Sequence, residues 1–150
     1  MTRTLTLVFV LAAACGGKKA APATAEHGMH EEMANMPPEM AKFHDVLAPR
    51  WHADKGPQRM KDTCAALPDF QADADAIAKA TPPTGANADS WSTSSRQLVD
   101  AVAGLDTPCK ANDAAAFEAA FQKVHDSFHG LMAAAGMHHE GMEGMEHHAS

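Results

Sequence analysis

A chain of 150 residues holds about one domain's worth of sequence, which argues against the multidomain architecture of large enzymes. Apolar residues make up 45% and aromatic ones 5%, with no Tyr, a composition suited to helices and poor in what strands use. The formal charge of -7 at pH 7 leaves nothing to neutralise phosphates and so argues against nucleic acid, whereas ten His beside ten Met in so short a chain point to ligation of a metal or of haem.

Residues 1–14 have the form of a secretory leader: Arg3 supplies the basic start, Leu5 to Leu11 the apolar stretch and three alanines the exit. That stretch is too short to span a bilayer, for which about 20 apolar residues are needed. Cys15 comes next. The run Leu11-Ala-Ala-Ala-Cys15-Gly-Gly resembles the lipobox of bacterial lipoproteins, although Leu stands four residues ahead of Cys and Ala12 fills its usual place. The resemblance implies cleavage before Cys15, diacylation of its thiol and, with Gly16 following, an outer-membrane lipoprotein facing the periplasm. Paired thiols in that oxidising compartment tend to form disulfides.

Residues 15–36 then read as the lipidated Cys, a flexible Ala- and Pro-containing tether and a first ligand-rich segment. From His27 to Met40, 14 residues hold two His, four Met and three Glu. A helical period begins at Pro38 with Met40, Phe43, Leu47 and Trp51, and Pro49 predicts a kink or a stop near Ala48. Pro57 suits a helix start, and the second helix carries Met60, Cys64, Leu67, Ala74 and Ile77 on one seam, with Pro68 predicting another kink. After the breaker Thr81-Pro-Pro-Thr-Gly85, Asn87 or Asp89 caps a third helix facing inward with Trp91, Leu98, Val102 and Leu105. The run Asp106-Thr-Pro108-Cys109 ends it. Asn112 or Asp113 caps a fourth, with Phe117, Phe121, Val124, Phe128 and Leu131 on its buried stripe. The fold expected is all-α: an antiparallel four-helix bundle over residues 37–135 with disordered tails. Residues 136–150 lose the period and gain ligands, with three Met, four His and three Glu between Met137 and His148.

In such a bundle the start of the second helix and the link between the third and fourth share one end, so Cys64 and Cys109 are expected to form a disulfide. Their wide separation lacks the CxxC spacing of metal and redox sites. The sequence has no CxxCH for covalent haem.

His125 and His129 stand four apart on the last helix and face one side, and Met132 continues that stripe. Met40 and His44 are similarly spaced on the first helix, with His52 further along. Antiparallel packing would bring Met40, His44, His125, His129 and Met132 together at the end opposite the disulfide. Two or three imidazoles with a thioether suit copper or zinc. A bundle with an axial Met on its first helix and an axial His on its last is similar to the soluble b-type cytochromes of the periplasm. That resemblance implies haem b between Met40 or Met36 and His125 or His129. In the plainest alternative, the two histidines flank a Phe-rich core and hydrogen-bond to Asp45 or Asp126. The tail run from Met137 to His148 resembles the Met/His-rich segments of periplasmic copper-binding proteins, in which thioethers favour Cu(I) and imidazoles Cu(II).

The ligands expected for a metal are therefore His44, His125, His129 and Met132 in the bundle and His27, Met29, His30, Met137, His138, His139, Met142, Met145, His147 and His148 in the tails. No phosphate loop, GxSxG, HExxH or activated nucleophile speaks for an enzyme. The function expected is a lipoprotein that buffers or carries copper, or assists resistance to it, alongside other envelope metal-handling proteins. A haem-b electron carrier is one alternative, and an envelope protein-interaction bundle with incidental metal affinity is another.

Overall fold

The computed structural model describes residues 36–137, and every regular element among them is helical. Six segments follow in order: α1 Pro38–Trp51, α2 Pro57–Ala65, α3 Leu67–Lys79, α4 Ala88–Ala103, α5 Asp106–Ala111 and α6 Ala114–Ala134. No helix among the described residues is long and apolar enough to cross a membrane.

Local chemistry sets most of these boundaries. Proline stands in the first turn of α1, α2 and α3, where its missing N–H costs no helical bond. The Asn87 side chain accepts from the Ser90 N–H at 2.9 Å to open α4, and Asp113 accepts from the Ala116 N–H at 3.0 Å to open α6. Asn112, just before that cap, takes the left-handed conformation at φ 52°, which Asn tolerates better than most residues.

Three boundaries differ from the sequence reading. Helix α1 runs past Pro49 to Trp51, because the proline falls in the last turn and the Arg50 guanidinium donates to the Val46 carbonyl at 2.7 Å and to that of Asp62 at 3.2 Å. The kink expected at Pro68 is a break: Ala66 leaves helical geometry, and α3 restarts with Pro68 in its first turn. The stretch around Pro108, expected only to end a helix, forms the short α5, in which Lys110 pairs with Asp106 at 2.7 Å.

Helix α1 packs on α3, α3 on α4, and α4 on α6. Between α1 and α6 lies a stack of rings. Phe43 stacks on Phe128 at 5.2 Å and meets Phe70 edge-on at 5.4 Å, while Trp51 meets Phe121 edge-on at 5.6 Å. Since the earlier residue of α1 pairs with the later residue of α6, these two helices run in opposite directions. The five phenylalanines of this core are at most 1% exposed, and burying each is worth roughly 1.5–3 kcal/mol.

One charge is buried with them. Arg59 on α2 is 4% exposed. It pairs with Glu118 on α6, donates to the Trp51 carbonyl at 3.2 Å, and lies over the rings of Trp51 and Phe121. On the same helix, Cys64 forms a disulfide with Cys109 on α5 across a separation of 45 residues.

Candidate metal centre

Helix α6 is 21 residues long, and its ring-bearing face turns toward α1. On that face the i, i+4 spacing puts two imidazoles side by side: His129 Nε2 lies 3.1 Å from His125 Nε2. The distance suits an N–H···N hydrogen bond between two neutral rings, one donating and the other accepting. It also suits chelation. With metal–imidazole bonds of about 2.0–2.1 Å, nitrogens 3.1 Å apart subtend roughly 98° at a shared ion, between the right angle of a tetragonal site and the tetrahedral angle.

The rest of the His125 ring is held on two sides. Its Nδ1 faces Asp126 Oδ1 at 3.5 Å, a long contact that favours the proton on Nδ1 and leaves the Nε2 lone pair toward His129. Its face lies on the Trp51 indole, centroids 3.7 Å apart and planes 11° from parallel. Burial pushes the pKa of His125 below its ordinary value; Asp126 opposes that shift and the nearby His52 adds to it. Neutral imidazole is the form that binds metal.

His44, on α1, sits against Phe128 with ring centroids 6.0 Å apart. Its pKa is lowered too, first by burial, with Asp45 opposing and His52 reinforcing. The expected convergence of His44 with His125 and His129 is not what the structure presents: among the described residues no three His, Cys, Asp or Glu side chains gather closely enough to hold an ion. What the fold brings together is the pair on α6. His52 acts electrostatically on His125 of that pair and on His44, whose own ring contact is with Phe128. Met40 and Met132 turn into the apolar core, 0% and 5% exposed, and Met137 packs against it.

Cys15, His27, Met29, His30, His138, His139, Met142, Met145, His147 and His148 lie outside the described residues.

Sequence reasoning missed two contributors. Trp51 was read only as core, yet it is the surface on which His125 rests, and nothing in its helical spacing marks that. Arg59, which donates to the Trp51 carbonyl and lies over its ring, leaves no trace in a hydrophobic pattern because it is a charge at a core position. Comparison of the chain with protein families, with curated proteins and with solved structures returns no match.

Proposed function

We propose that this protein is a periplasm-facing outer-membrane lipoprotein, anchored through Cys15, whose helical domain binds transition-metal ions, with copper the best fit. In this reading the helices form an antiparallel four-helix bundle, α2 and α3 acting as one broken helix. Its role is that of a buffer, carrier or resistance accessory, with no catalysis of its own. Envelope metal-handling proteins are its natural exchange partners.

The observation that carries the reading is the 3.1 Å approach of His129 Nε2 to His125 Nε2. Two imidazoles give the ordered half of a site that further ligands complete. The sequence offers them on both flanks, in His27, Met29 and His30 before the helices and in His138, His139, Met142, Met145, His147 and His148 after them. Mixed thioether and imidazole donors suit an ion that changes between cuprous and cupric states. A bare ion is favoured over haem b because Phe43 and Phe128, near Met40 and His129 in sequence, stack directly on each other at 5.2 Å.

The deciding experiment is calorimetric titration of the mature chain and its H125A/H129A variant with cupric and cuprous ions. Saturable binding of several equivalents, with the tightest cupric equivalent lost in the variant, supports the reading. A red protein with a Soret band, or heats no larger than those of a peptide of scrambled composition, overturns it.

A further inference from the structure

The methionines of the described residues are unevenly distributed. Of Met36, Met40, Met60, Met132 and Met137, only Met60 lies away from the end where α1 begins and α6 finishes. Three observations place the other four at that end.

First, the pairing of Phe43 with Phe128 and of Trp51 with Phe121 fixes the register of the two opposed helices. Continued one turn toward the start of α1, it sets Met40 level with Met132. Both are buried in the same apolar core, 0% and 5% exposed. Second, α6 ends in a Schellman turn: the Gly136 N–H reaches the Ala133 carbonyl at 3.0 Å and the Met137 N–H reaches the Met132 carbonyl at 2.9 Å. The turn requires the positive φ of 81° that Gly136 supplies. Such a turn lays the residue after the glycine back over the one five positions earlier, here Met137 over Met132, and Met137 does pack on the core. Third, Met36, four residues ahead of Met40 and 9% exposed, is buried in that same core.

We infer that Met36, Met40, Met132 and Met137 form a thioether site for a soft monovalent cation of the Cu(I) or Ag(I) class, separate from the imidazole pair. Apolar filling alone does not call for sulfur at each of these positions; Leu fills such space with better-defined rotamers. Neutral thioethers in an apolar surround discriminate sharply. They offer a hard or divalent ion neither charge nor oxygen to replace its hydration, while they match a polarisable, weakly hydrated monovalent ion. Unbranched side chains let the four sulfurs draw in around an ion without moving the helices. Met137, partly exposed, is the way in.

The test uses the mature full-length chain with Ag(I) as a redox-inert probe, read by the ε-methyl resonances of isotopically labelled methionine. The methyls of Met36, Met40, Met132 and Met137 are expected to shift together within the first equivalent. The variant M36L/M40L/M132L/M137L, conservative in volume, is expected to bind one equivalent of Ag(I) fewer while its cupric binding is unchanged. Conversely, H125A/H129A is expected to keep every Ag(I) equivalent, so the two sites stand or fall separately. First-equivalent shifts confined to methionines such as Met29, Met33, Met142 and Met145, with the four unmoved, would overturn the proposal, as would a leucine variant of undiminished capacity. If that variant does not fold, the methyl titration of the unaltered chain decides.

Discussion

Trp51 and His125 lie face to face, indole on imidazole, with centroids 3.7 Å apart. Trp51 also contacts Arg59, which donates to its backbone carbonyl at 3.2 Å and sets its guanidinium carbon 5.8 Å from the ring centroid. A chain of contacts therefore runs from Glu118 through Arg59 and Trp51 to the ring that we take as a metal ligand. An ion on His125 sits in the plane of a ring stacked on an indole, near enough for a paramagnetic centre to quench it.

Cupric ion is accordingly expected to quench the Trp51 share of the fluorescence and to spare more of that from Trp91, which is buried on α4. Titration of wild type and W51F compares the two. Equal fractional quenching in both would place the ion elsewhere.

Replacing either His125 or His129 by Ala removes half of the chelate. Cupric affinity is expected to fall by about a hundredfold, and the D126N change, which weakens only the orientation of His125, by about tenfold. Competition against a chelator of known affinity measures both. A larger effect from D126N than from H129A would contradict the assigned roles.

Stability should decline on mild acidification. His44 and His125 both have folded-state pKa values below the ordinary one, with burial the leading cause. The unfolded chain therefore takes up protons first as pH falls below about 6.5. The contribution is whole above that value and is lost through the window beneath it, until the folded-state rings protonate as well. Asp73 acts in the opposite sense nearer pH 4, its pKa raised first by burial and then by Asp69, with Lys42 opposing. Thermal unfolding of metal-free protein is expected to be lower at about pH 5.5 than at about pH 7.5, and H44Q/H125Q should flatten that step.

Removing the disulfide in C64S/C109S opens a separation of 45 residues and is expected to cost about 4 kcal/mol in the chain-entropy model. Urea unfolding under oxidising and reducing conditions measures it. The variant should respond to neither condition, and the parent should approach the variant when reduced.

The parts of this fold that rest on local chemistry were legible in the sequence. The buried stripes of α1 and α6, the proline starts and the Cys64–Cys109 pairing all follow from periodicity, φ restriction and the parity of thiols, and the structure chose Asn87 and Asp113 from the two caps offered at each site. Less legible was whatever depends on a contact across the chain. Pro68 is expected from the sequence to kink its helix, and the structure instead has a break at Ala66. The imidazole pair could be foreseen because i, i+4 spacing is a property of one helix. The exclusion of His44 from a three-ligand set, and the seat of His125 on Trp51, depend on how α1 and α6 are rotated against each other, which no single-helix pattern encodes.

The covalent link between Cys64 and Cys109 lies beside the ends of the chain's helices where α6 starts, whereas the Schellman turn closes α6 about 30 Å further on. Among the described residues the covalent rivet is thus at the base, while the crown is held by side-chain packing and the backbone bonds of the turn. Ion-driven repacking at the crown need not disturb the base, and reduction of the base need not empty the crown.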